Sequence, residues 1–173
     1  MKIIRQKRKN NPVFCEIIGV HSVKAALLNS ERRHQKLFIS NTKKNLFDEK
    51  ITKLVPQINE LNNKEMNKLF GNETSHQGVV LITSKLIQPK IDEVISRSKQ
   101  KKSDIIVILD QVTDPNNIGS IIRSCALFNC KSVIVSKDNA PELNANIAKA
   151  ASGALEIVNY ISVVNLSRTI VKF

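Results

Sequence analysis

From Val13 onward the chain alternates short apolar runs with stretches in which apolar residues return every third or fourth position. The first pattern is that of strands, the second that of amphipathic helices. Val23, Ala26 and Leu27 stand at helical spacing behind Ser22, a residue able to cap a helix. Lys36–Ser40 reads as a strand. Leu46, Ile51, Leu54 and Val55 mark a second helix, stopped at Pro56, and a short strand follows around Ile58. Asn63 opens a third helix that runs to Phe70 and ends at Gly71, and Gly78–Thr83 is a strand.

The pattern then changes. Residues 85–103 read as a linker: Pro89 leads into a helix-like stretch, IDEVISRS, which runs into the charged KQKKS. Asp104–Leu109 has the continuous apolar character of a strand buried on both faces. A helix from about Asn117 to Phe128 follows, then a strand at Lys131–Ser136, a helix at Glu142–Ser152, a strand at Glu156–Ile161 and a helix beginning at Asn165. Strands alternating with helices at this spacing predict an α/β fold with a mostly parallel, doubly wound sheet. In such sheets ligands bind at the carboxyl ends of the strands. The chain therefore divides into an arm (1–12), a front α/β unit (13–84), the linker (85–103) and a rear α/β unit (104–173).

Charge separates these parts. Of the formal net charge of +12, residues 1–104 carry +11 and residues 105–173 only +1. The arm contributes Lys2, Arg5, Lys7, Arg8 and Lys9 with no acidic residue to offset them. A basic front joined to a near-neutral rear points to a polyanion held by the front, and Arg5, Lys7, Arg8 and Lys9 are its first candidate phosphate ligands. Only 4% of residues are aromatic and Trp is absent, which argues against a platform that stacks single-stranded bases. No apolar run reaches membrane-spanning length, and the start lacks the apolar stretch of a signal peptide. The three cysteines, Cys15, Cys125 and Cys130, form no CxxC pair, and with His21, His34 and His76 they give no zinc spacing. Reduced thiols, a cytoplasmic location and a metal-free site are the expectations.

The segment Ile108–Phe128, ILDQVTDPNNIGSIIRSCALF, carries the most chemistry. Asp114 followed by Pro115 is a sound helix opening, with a carboxylate cap and a proline at the first helical position. Ile118, Ile121, Ile122, Cys125 and Phe128 form an apolar stripe, and Arg123 falls on the far side at about 100° per residue. Gly119 costs about 1 kcal/mol relative to Ala at that place, which implies close approach of something to the backbone. A buried strand thus delivers Asn116, Asn117, Gly119 and an outward Arg123 to the rim where ligands bind.

These residues, continued through NCKSVIVSKDNAPELNANIAKAASGALE, resemble the first catalytic motif of the SpoU/TrmH family of RNA ribose 2′-O-methyltransferases, a branch of the SPOUT superfamily. The resemblance is greatest to members that methylate a guanosine ribose in large-subunit ribosomal RNA. IIGVHSVKAALLN and SHQGVVL are similar to the opening and the closing strand of that family's small substrate-binding domain, whose fold is like that of certain ribosomal proteins. The resemblance implies an α/β-knot methyltransferase domain in the rear unit and S-adenosylmethionine as methyl donor. It implies RNA as partner, and a homodimer. It makes Arg123 the active-site arginine and Asn117 the residue that orients arginine and substrate, with Asp114, Pro115 and Gly119 shaping the motif.

The departure from the family pattern lies at the end. Members continue past this point into a Gly-x-Glu-x-x-Gly motif and a Ser- and Asn-rich motif, which bind the cofactor and form the knot. Neither motif occurs here. The resemblance therefore implies a C-terminally truncated enzyme with an incomplete cofactor site, inactive alone, and an open sheet edge. The alternative reading is a non-catalytic RNA-binding module retained from such an enzyme.

Overall fold

The structure is a computed structural model and describes residues 13–72, 76–101 and 103–173. In the front half, β1 (Phe14–Ile18), α1 (Val20–Leu28), β2 (His34–Ser40), α2 (Glu49–Thr52), β3 (Ile58–Leu61), α3 (Asn63–Phe70) and β4 (Val79–Ser84) follow one another. Their sheet has the order β1-β4-β2-β3, antiparallel except for the β2–β3 pair. The rear half contains α4 (Ile91–Lys99), β5 (Ile106–Leu109), α5 (Pro115–Leu127), β6 (Ser132–Ser136), α6 (Ala145–Ala150), β7 (Asn159–Val163) and α7 (Leu166–Ile170). Its three strands are all parallel, in the order β5-β6-β7.

The rear sheet is doubly wound because β6 is apolar on both faces and buried throughout. Val133 and Val135 pack with Ile118, Ile122 and Cys125 of α5 and Ile147 of α6. Ile134 packs on the other side with Val94 of α4 and with Ile161 and Val163 of β7. The segment expected to be a linker is therefore one wall of the rear layer. The helix-like stretch IDEVISRS is a helix as expected, and of IDEVISRSK Val94 and Ile95 are buried.

Other boundaries moved for local reasons. The cap of α1 lies three residues before the expected one: Gly19 occupies it with φ 87°, a conformation open to glycine, and Ser22 lies inside the helix. The Ser22 hydroxyl instead donates to the Ala148 carbonyl at 2.8 Å, tying α1 to α6. The helix expected over 46–55 is a 3-10 turn (Asn41–Leu46) followed by the single turn of α2. α6 is shorter than expected because Asn144 caps it, accepting from the N–H groups of Asn146 and Ile147. Residues 154–156 form a 3-10 turn, so β7 starts at Asn159 and Glu156 is not in a strand. Phe128, expected on the apolar stripe, is 74% exposed. It follows the last helical residue, so the helical period no longer governs where it points.

The halves meet in one continuous apolar cluster that joins α1 and the front sheet to α5, α6 and β6. Gly153, at φ 92°, lies so close to α1 that a Cβ there would stand 2.5 Å from the Ala25 Cβ. At the same junction Arg32 and Glu156 form a buried two-point ion pair, Nε to Oε2 and Nη2 to Oε1, each at 2.8 Å.

Candidate functional site

Helix α5 is positioned by its first turn. The Asp114 carboxylate accepts from the Asn117 N–H at 2.9 Å, and Pro115 supplies the first helical residue, as the sequence predicts. Both satisfy the helix end. Ile118, Ile122 and Cys125 anchor the buried face, with Ile118 and Ile122 fully buried. Asn116, Asn117, Ser120, Arg123 and Ser124 are exposed on the remainder.

Among the described residues Arg123 has no hydrogen-bond or ion-pair partner. An exposed guanidinium, on a helix that opens at the carboxyl end of β5 and about 12 Å along it from that end, is free to meet an anionic or hydroxyl-bearing ligand. On an ideal helix Asn117 and Arg123, six positions apart, leave the axis about 120° apart and about 9 Å along it. Asn116, seven positions from Arg123, lies within about 20° of it around the helix.

Gly119 explains itself differently from the sequence expectation. The close approach is made by another helix: a Cβ at 119 would stand 2.3 Å from the Ala150 Cβ and 2.9 Å from the Ala151 nitrogen. Gly119 therefore sets the separation of α5 and α6 and does not open the backbone to a ligand. Gly119→Ala should lower stability by about 1–3 kcal/mol through overpacking, although Ala is the better helix former. Thermal unfolding followed by circular dichroism would show it, and an unchanged or raised midpoint would mean the helices can part freely.

Beside α5, the free edge of β5 opens onto an apolar groove lined by Ile105, Val107, Ile121 and Phe128, with Ser120 and Ser124 at its rim. The opposite edge of the sheet is guarded, because the Tyr160 N–H donates to the Gln88 side chain at 2.9 Å. Among the described residues no Asp or Glu lines the apolar groove. Burial, helped by neighbouring Cys130, pushes the Cys125 thiol up to about 11, and burial also raises Cys15. Neither thiol is a nucleophile near neutral pH. Among the described residues no His, Cys, Asp and Glu group could hold a metal ion, and no helix is long and apolar enough to cross a membrane. The arm residues Arg5, Lys7, Arg8 and Lys9 lie outside the described residues.

Residues 104–173 match the model of the SpoU rRNA Methylase family, and residues 17–89 match the model for RNA 2′-O ribose methyltransferase substrate binding. The chain belongs to the SpoU methylase family. The second region holds the front sheet apart from the start of β1, the first holds the rear sheet with α5, α6 and α7, and α4 lies between them. The chain is 32% identical over 162 residues to the 23S rRNA (guanosine-2′-O-)-methyltransferase RlmB of Escherichia coli, covering 88% of this chain and 64% of that protein. It is 31% identical over 168 residues to the RlmB of Haemophilus influenzae, covering 90% of this chain and 64% of that protein. Among solved structures, the AdoMet-bound rRNA methyltransferase from Sinorhizobium meliloti superposes with a TM-score of 0.69 at 17% identity, over 92% of this chain and 57% of that one. The SpoU methyltransferase AviRb from Streptomyces viridochromogenes, in complex with AdoMet, gives 0.66 at 18% identity, over 90% and 57%. At such identities the structural likeness shows the fold, and it covers both halves. This SpoU-family chain spans about 64% of the length of the curated relatives it matches.

Proposed function

We propose that the chain carries the RNA-binding domain and the substrate side of the active site of an RNA ribose 2′-O-methyltransferase. The methyl donor is S-adenosylmethionine and the substrate is ribosomal RNA, most closely that of the large subunit. The observation that carries this reading is Arg123, exposed and unpartnered on the helix that opens at the carboxyl end of β5, within the segment that matches the methylase family. The same reading puts the protein in the cytoplasm and has it work as a homodimer.

In this chemistry the bound cofactor would supply a methyl group to a ribose 2′-oxygen, which must be freed of its proton. Arginine stays charged at any working pH and is a poor base. Arg123 therefore acts by holding the forming alkoxide and an adjacent phosphate in its planar fork. Asn117, on a different face of α5, contacts the substrate and does not orient the arginine. The described residues do not make up a cofactor site: the groove beside Arg123 has no carboxylate to accept the hydroxyls of an adenosine ribose.

Two measurements test the reading. Calorimetric titration of this chain with S-adenosylmethionine should give no saturable binding at micromolar cofactor; one-site binding there would reveal a pocket that the described residues lack. RNA binding should weaken steeply with salt, since phosphate contacts release counterions. Replacing Arg5, Lys7, Arg8 and Lys9 together by Gln should flatten the plot of log affinity against log salt by roughly three units. Affinity indifferent to salt would refute RNA binding by the basic front half.

A further inference from the structure

Helix α5 ends in a turn that sets two cysteines side by side. Phe128 closes the helix, and Asn129 takes the left-handed conformation at φ 57°, which asparagine tolerates better than most residues. The Cys130 N–H donates to the Cys125 carbonyl at 2.8 Å, and the Asn129 N–H donates to the Ala126 carbonyl at 3.3 Å. These two bonds make a Schellman turn, in which the residue two beyond the cap packs against the residue three before it. Here both of those residues are cysteines. After burial, the Cys130 thiol is what raises the Cys125 thiol most, through its charge and through a hydrogen bond.

A disulfide requires Cα atoms roughly 4.4–6.8 Å apart and side chains that converge. A short hydrogen bond between the peptide groups of 125 and 130 meets the first demand. The second is met because both side chains turn to the same place, the apolar groove beside β5. Each residue is almost fully buried, yet both border that groove, which gives a small oxidant a route to the two sulfurs. Cys130 Sγ also donates to the Ser132 carbonyl at 3.3 Å, where β6 begins. Cys15, in β1, belongs to the front sheet and takes no part in the pair.

We propose that Cys125 and Cys130 form a reversible oxidation site, which hydrogen peroxide converts from two thiols into a disulfide. One thiol takes an oxygen from the peroxide and becomes a sulfenic acid, and the rest of the peroxide leaves as water. The second thiol then attacks that sulfur: the S–S bond forms, the S–O bond breaks and a second water leaves. Both sulfurs are oxidised and the peroxide is reduced. The new bond ties the last turn of α5, two residues beyond Arg123, to the entrance of β6. Burial keeps Cys125 protonated at neutral pH, and only a thiolate reacts readily, so oxidation is slow there and quickens as pH rises. The site stands whether or not the chain acts on RNA.

The test exposes the whole folded chain to hydrogen peroxide at mildly alkaline pH, alkylates it with iodoacetamide in urea and digests it with trypsin. Cleavage after Arg123 and Lys131 leaves both cysteines in one peptide, residues 124–131. Mass spectrometry should find that peptide unalkylated and lighter than its reduced form by two hydrogens, and dithiothreitol should restore the doubly alkylated form. A peptide still doubly alkylated after prolonged oxidation would overturn the site. So would sulfinic or sulfonic acid there without a disulfide, or disulfides only between chains. A second measurement separates the fold from mere closeness in sequence. The chain is equilibrated with mixtures of reduced and oxidised glutathione, once folded and once in urea. The folded chain should keep the bond at a ratio of reduced glutathione squared to oxidised glutathione about tenfold or more higher than the unfolded chain does. Equal ratios, or a bond weaker in the folded chain, would mean that the native turn does not hold the sulfurs in bonding position, and would also overturn the site.

Discussion

Glu156→Ala should unfold about 10 °C below the wild-type chain. Arg32 is only 3% exposed in its side chain and Glu156 9%. Arg32 Nη1 donates to the Ser84 carbonyl at 2.7 Å, and the Asn29 amide also donates to Glu156 Oε2 at 2.7 Å. Every strong polar group in the junction is thus satisfied by another. Truncating Glu156 leaves a guanidinium buried without its counter-charge, which typically costs about 3–5 kcal/mol. At about 2–4 °C per kcal/mol for a chain of this size, the midpoint falls by that margin. Exchanging both partners for apolar residues of similar volume, Arg32→Met with Glu156→Leu, should recover much of the loss, because no charge is then stranded. Thermal unfolding followed by circular dichroism decides it. A Glu156→Ala midpoint close to wild type would mean that water reaches Arg32 and that the junction is loose.

The second large effect falls on activity. With this chain fused to the segment by which its relatives extend beyond it, Arg123→Ala should slow ribose methylation by a hundredfold or more while leaving the unfolding midpoint nearly unchanged. Removal of one donor at a developing oxyanion typically costs about that much in rate, and exposed substitutions usually move stability within about 0.5 kcal/mol. Arg123→Lys should rescue little, since a point charge cannot engage hydroxyl and phosphate together as a planar fork does. Ile122→Ala is the converse. Ile122 is fully buried against the rear sheet, so its truncation should cost about 2–5 kcal/mol through a cavity. Radiolabel transferred from S-adenosylmethionine to ribosomal RNA reports the first effect, and urea unfolding the second. Near-normal transfer by Arg123→Ala would return the arginine to the status of a solvated surface charge.

What could be read from the sequence was mostly local. The bounds of α3 follow from Asn62, Glu65 and Gly71, because capping box and stop lie within the helix's own residues. The opening of α5 at Asp114–Pro115 is of the same kind. Alternating strands and helices were enough for the doubly wound rear layer, and the buried stripe of α5 was right through Cys125. The errors are long-range. Glu156 read as the first residue of a strand because its partner, Arg32, sits 124 positions away. The stretch 91–98 read as helix-like, but its packing on the rear sheet did not show, because a helix flanking a sheet can bury two residues and show water the rest. β1 drew no separate expectation, since Glu16 interrupts its apolar run and half the strand is exposed. At the candidate site, Arg123 was placed outward correctly, whereas the cost at Gly119 signalled a neighbour without saying which.

That neighbour also limits how the protein can change over time. Many tight contacts are negotiable: when one residue grows, its partner can shrink, and the pair drifts together. Position 119 has no such partner. Of the three nearest atoms that a Cβ there would meet, one is the Ala150 methyl, but the others are the Ala151 nitrogen and the Ala150 carbonyl carbon. Shrinking Ala150 to glycine would remove the first obstacle and leave both backbone atoms in place. No single compensating substitution can make room, so a descendant with any other residue at 119 must first have moved the whole of helix α6.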